Sequence, residues 1–174
     1  MIFKKSLAIV LFYFFIFFLS GCSSHLHKVE TTLPRNQPYA ISAFWNYTET
    51  PMAGLRAASI VEGVLASHKI PLLSQIEGSE EMGEPIKKRD FLNAQKQQAR
   101  DAQVLYLVTG EVQEWRYKTG IDGEPVVSYS MEITRLSDDQ VLFRGVGAKS
   151  GWGHKSIGVV AQEIAQELMP HFAP

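Results

Sequence analysis

Cys22 is the residue of this chain placed for covalent chemistry, and that chemistry is acylation. It is the only cysteine in 174 residues and it follows Leu19, Ser20 and Gly21. Ahead of these stand Lys4 and Lys5, then an apolar run from Leu7 to Leu19 interrupted only by the phenol of Tyr13. A cationic start, an apolar stretch and small residues before a cleavage point make residues 1–21 a signal peptide. A membrane-spanning helix needs about twenty apolar residues, so this run is too short to stay in the bilayer. Cleavage before Cys22 leaves its thiol at the new N-terminus, ready to carry acyl chains such as palmitate. Ser23 rather than Asp after the cysteine favours the outer membrane, on its periplasmic side, over inner-membrane retention.

No other residue set is spaced for catalysis or metal binding. The five histidines, at 25, 27, 68, 154 and 171, lack the close pairing of zinc sites. There is no Gly-x-Ser-x-Gly and no His-Glu-x-x-His, and Glu111 with Glu114 falls on a predicted strand rather than in a carboxylate pair. The segment from Gly145 to Gly151 resembles a phosphate loop in composition only. Ala148 stands before Lys149 where that loop has glycine, and Phe143 occupies the earlier glycine position. The glycines are better read as small residues that let a strand pass beneath a helix. Catalytic residues, cofactors, metals and nucleic acid are therefore not expected.

Aromatic and charged residues concentrate at two places instead. Trp115, Arg116, Tyr117, Lys118, Asp122 and Glu124 lie at one hairpin end, and Lys149, Trp152, His154 and Lys155 lie at the last strand-to-helix junction. Trp115 reads equally as core or interface. Trp152, flanked by Gly151 and Gly153, has little neighbouring side chain to pack against and is expected at the surface, against a membrane or another subunit. Asp122 and Glu124, in a glycine-framed turn, are expected to lack cationic partners.

Residues 22–38 are polar, hold Pro34 and Pro38, and show no hydrophobic period, so they are predicted to be a lipidated tether reaching at most about 50 Å. Residues 39–174 make a single domain. Tyr39 to Phe44 reads as a strand running into a loop at Trp45 to Tyr47. A helix follows, capped by Thr50 with Pro51 as its first residue and ending near His68. Ile70 to Leu73 is a second strand, and residues 77–84 an acidic loop. Asp90 caps a helix to about Ala102, with Phe91, Gln95, Ala99 and Ala102 along one side. The apolar run Val104 to Val108 starts a strand that continues through Trp115 and Tyr117. Val127, Tyr129, Met131 and Ile133 alternate with polar residues in the next strand. Val141 to Ala148 is the last strand, and a helix from about Lys155 to Met169 buries Ile157, Val160, Ala161, Ile164 and Leu168. The order β-α-β-α-β-β-β-α implies an α/β fold, a single mixed β-sheet packed with helices, whose hairpin over 104–136 projects beyond the core.

Composition adds two constraints. Loss of residues 1–21 removes Lys4 and Lys5 and no acid, so two of the 17 basic residues go, all 18 acidic ones stay, and the formal charge moves from -1 to -3. Six of the ten phenylalanines leave with the same segment, so the remaining core is mostly aliphatic. With one cysteine no intramolecular disulfide can form, and stability comes from packing or assembly.

The motifs Glu114-Trp115-Arg116-Tyr117-Lys118, Asp122-Gly123-Glu124-Pro125 and Ser150-Gly151-Trp152-Gly153, behind a lipobox and an Ala43-Phe44-Trp45-Asn46 strand end, resemble the PelC family of outer-membrane lipoproteins in Pel exopolysaccharide secretion. The strand end and its amphipathic helix also resemble the wider TolB N-terminal-like group that includes CsgG and LpoB. The resemblance implies a TolB N-terminal-like sandwich and a ring homo-oligomer of about a dozen lipid-anchored subunits. An electronegative funnel of that ring would guide a cationic polysaccharide to the outer-membrane export pore PelB. It implies that Trp152 meets outer-membrane lipid and that Asp122, with Glu124 beside it, lines the acidic passage. Two alternatives stay open: an LpoB-like regulator of a peptidoglycan synthase, and a CsgG-like secretion subunit, which would need two amphipathic hairpins where one long one is found.

Overall fold

The computed structural model describes residues 24–76, 85–120, 123–152 and 154–173. Cys22, the acidic loop 77–84 and Asp122 lie outside the described residues. Among the described residues the elements run β1 (Ser24–Glu30), β2 (Tyr39–Ser42), β3 (Trp45–Asn46), α1 (Ala53–Ser67), β4 (Leu72–Ile76), α2 (Pro85–Asp101), β5 (Tyr106–Tyr117), β6 (Pro125–Arg135), β7 (Gln140–Ser150) and α3 (Ile157–Leu168).

The strands form one mixed sheet in the order β1-β7-β6-β5-β2-β4, with β3 also on β5. β2 and β3 run parallel to β5, while β5, β6 and β7 form the expected antiparallel meander. Because β2, β4, β5 and β7 point the same way, each following helix returns against them, and α1, α2 and α3 all begin at one end of the sheet. That end also receives the β5–β6 turn and the start of β1.

The alternation in β6 is borne out: Val127, Tyr129, Met131 and Ile133 are buried against α1 and α3, and the residues between them are half exposed. The glycines of β7 act as spacers. A Cβ on Gly145 would lie 2.7 Å from a Leu168 methyl, one on Gly147 2.5 Å from an Ile164 methyl, and one on Gly151 2.7 Å from a Val160 methyl. Tyr129 fixes the same contact by donating its hydroxyl hydrogen to the Ala161 carbonyl at 2.7 Å. On the opposite face α2 packs over β2, β3 and β5, with Ala99 against Ala40 and Leu107, and Phe91 against Trp45.

Four expectations need correction. First, the chain from Ser24 on is no tether. β1 pairs antiparallel with β7, Ser24 opposite Lys149 and Glu30 opposite Phe143, which satisfies a backbone edge that would otherwise be open. Leu33 beyond it is fully buried, and Arg35 donates to the His68 carbonyl at 2.8 Å. With β1 and β3 the element order gains two strands. Second, α1 starts at Ala53 behind Met52, which lies in the left-handed region at φ 61° with no side-chain cap. Thr50, the expected cap, spends its hydroxyl on the Trp115 carbonyl at 2.6 Å. Third, α2 begins at Pro85, a residue suited to a first helical turn, and Asp90 lies inside it. Fourth, the hairpin does not project: Trp115 is 2 % exposed within the main core.

Gly147→Val is expected to cost about 1–3 kcal/mol by forcing Ile164 off its rotamer or α3 off the sheet. Gly63→Ala, on an exposed helical position with nothing near its added methyl, is expected to gain about 0.5–1 kcal/mol. Urea unfolding midpoints of the two variants measure both.

Candidate functional site

The end of the sheet where the helices begin carries the residues singled out from sequence, and the fold separates them into buried, paired and exposed. Trp115 goes to the core and Trp152, 63 % exposed, to the surface. The contrast follows from position: Trp115 is on the covered face of a central strand, whereas Trp152 is in the loop between β7 and α3, above Gly151.

Two lysines bracket that loop, and one carboxylate holds both. Glu163, on α3, receives Lys155 at 2.5 Å and Lys149 at 2.9 Å, and Lys149 also reaches Glu167 at 2.7 Å. Lys149 precedes the Trp152 turn and Lys155 follows it, so Glu163 staples the two ends of the loop together. Ser156 caps α3 by accepting from the Val159 N–H, and the Lys155 N–H donates to the Trp152 carbonyl at 2.8 Å. The indole is left as the part of the turn that points outward. The lysines beside it, Lys155 first and then Lys149, hold the Glu163 carboxyl below its ordinary pKa. Sequence reading did not single out Glu163. A helical Glu two turns after Lys155 was the available signal.

The hairpin end is tied to this loop. The Tyr117 hydroxyl accepts from the Ile157 N–H at 3.2 Å, and the Gly151 N–H donates to the Pro125 carbonyl at 2.8 Å. Glu124 is ion-paired: Lys118 Nζ lies 2.8 Å from its carboxylate, and the two backbones also bond across the turn. The expectation of an unpartnered Glu124 is thereby corrected. The turn is short enough for Lys118 to fold back, which sequence spacing did not reveal. Arg116 turns to Glu114 at 3.2 Å, and His154 is exposed. Among the described residues no cluster of His, Cys, Asp or Glu is arranged to hold a metal ion. The arrangement is suited to presenting an aromatic surface on a rigid support.

Because the folded-state pKa of Glu163 is lowered, the stability it contributes is fully present above its ordinary value of 4.5 and is lost as pH falls through the lowered value. Fluorescence anisotropy of Trp152, read over the constant signal of buried Trp45 and Trp115, is expected to drop in that acid range. Glu163→Gln should show the loosened value already at neutral pH and a flat profile below it.

Neither a scan against family models nor a search of the curated proteins finds a match. Solved structures do match. A single-substitution variant of the PelC dodecamer from Paraburkholderia phytofirmans superposes with a TM-score of 0.72 at 29% identity, covering 84% of this chain and 95% of that one. A second crystal form of that PelC dodecamer gives 0.68 at 28% identity, covering 84% and 94%. By fold, by extent and by sequence, the chain is similar to the PelC proteins over most of its length.

Proposed function

We propose that this protein is a lipid-anchored, non-catalytic component of Pel exopolysaccharide export, held at the periplasmic side of the outer membrane through Cys22 and assembled as a ring homo-oligomer. In that ring it guides the cationic polysaccharide towards the outer-membrane pore PelB. The observation that carries the reading is the likeness over 84% of the chain to proteins solved as PelC dodecamers.

Physical features of the chain support it. β1 begins two residues after Cys22, and in the β1–β7 register Ser24 sits opposite Lys149, so the chain leaves the sheet at the Trp152 end. Two residues span at most about 7 Å, which holds an acylated Cys22 close to the indole. The lipid and the aromatic side chain then act on one surface, with Trp152 at head-group level. A formal charge of -3 after cleavage is a weak field for one subunit. Repetition around a ring converges it on an axis where low-dielectric walls focus it. Asp122 is the residue we assign to that lining. Glu124, neutralised by Lys118, adds less to it than its position implies.

Two outcomes are expected in cells. Cys22→Ser releases the protein from the membrane fraction, since stable anchoring needs two or more acyl chains. Asp122→Asn, at matched expression, lowers polymer secretion while the assembly stays intact, and binding of the cationic polymer in vitro falls steeply as salt brings the Debye length to about 3 Å. Normal secretion by the Asp122→Asn strain would reduce that residue to a turn cap.

A further inference from the structure

Trp152 is not the only large apolar side chain exposed where the helices begin. Met52 is 54 % exposed and Tyr117 51 %. Met52 is held at φ 61°, a conformation in which a side chain is strained and which glycine or asparagine would adopt more easily. The strained backbone places a flexible, half-exposed thioether in front of α1. Tyr117 is fixed by its hydroxyl to the first residue of α3, so its ring stays at the surface beside the Trp152 loop.

Hydrogen bonds join the three loops. Thr50 binds the Trp115 carbonyl and so ties the Met52 loop to β5 two residues before Tyr117. Tyr117 binds Ile157, five residues after Trp152. The opposite end of the sheet, where Leu73, Leu105 and Val141 are also exposed, carries the ion pairs Arg135–Asp138, Arg100–Asp139 and Lys96–Asp139.

We propose that Met52, Tyr117 and Trp152 form one platform that rests on a phospholipid surface, so that the domain is oriented by three contacts. The inference rests on the anchoring reading at Cys22 and extends it to two residues that this reading does not use. The occupant follows from the chain itself. Cys22 lies two residues ahead of Ser24, at the same end, so the surface nearest the platform is the one that takes the acyl chains. The side chains also suit a membrane boundary: Tyr and Trp place an apolar ring and a polar tip at head-group level, and Met is unbranched and adapts to irregular apolar surroundings. One indole leaves a domain free to rock about its tether. Three points set a plane, and a common plane would keep the subunits of a ring level.

The test uses the mature protein in vesicles of phosphatidylethanolamine and phosphatidylglycerol with brominated acyl chains. Tryptophan quenching there reports Trp152, since Trp45 and Trp115 are buried. With Cys22 acylated, Met52→Cys and Tyr117→Cys each supply a single thiol for an environment-sensitive dye, and Ser137→Cys serves as a control at the far end. The platform predicts a blue shift and at least threefold stronger quenching at 52 and 117 than at 137, together with quenching of Trp152. Quenching of Trp152 with dyes at 52 and 117 that behave like the one at 137 overturns the platform and leaves the anchoring reading intact. Dyes at 52 and 117 that are shielded equally with and without lipid mark a subunit interface and overturn it as well. A wild-type chain that takes the dye at Cys22 overturns the anchoring reading instead. Addition of the Met52→Cys and Tyr117→Cys chains, each with Cys22→Ser so that a single thiol remains, to the same vesicles then decides the platform by itself: quenching of Trp152 and of the two dyes upholds it, and none removes it.

Discussion

The close approach of α3 to β7 is the contact on which the rest of this end of the molecule depends. Gly145, Gly147 and Gly151 leave room for Leu168, Ile164 and Val160, and any larger residue would meet them at under 3 Å. With the helix that near, Tyr129 reaches the Ala161 carbonyl and Glu163 reaches a lysine on each side of the Trp152 turn. The start of α3 comes within hydrogen-bonding distance of Tyr117. Packing on one face of the sheet therefore sets how an aromatic loop is presented at its end, and a change of strand-to-helix distance would disturb the surface without touching a surface residue.

Elements with a strong period were legible before the structure. The alternation of β6, the apolar stripe of α3, and the spacer role of the β7 glycines were read correctly, because each is a local pattern with one face buried. Trp152 was placed at the surface from its glycine neighbours alone. What escaped depends on partners distant in sequence. β1 has little pattern of its own and becomes a strand because β7 offers it an edge. The start of α1 shifts because Thr50 bonds 65 residues away, to Trp115. Glu163 and Lys118 take their roles from ion pairs that close only once the fold is made.

Many of the charges in the described parts of the subunit are paired. Glu111 binds Lys88, Glu132 binds Arg144, and Asp138 and Asp139 bind the basic groups around them. Exposed pairs of this kind contribute little stability each, but they cancel locally and leave a subunit with a weak field. The proposed electrostatic role in transport then depends on repetition around an axis. In the proposed ring, closed head-to-tail symmetry would supply that repetition.

The central claim, a lipid-anchored subunit that works only as an assembly, is tested most directly by native mass spectrometry of the particle extracted from outer membranes in mild detergent. The account predicts a closed complex near twelve protomer masses, each protomer starting at Cys22 and carrying the added mass of its acyl chains. A folded monomer of unmodified mass under the same extraction would contradict it.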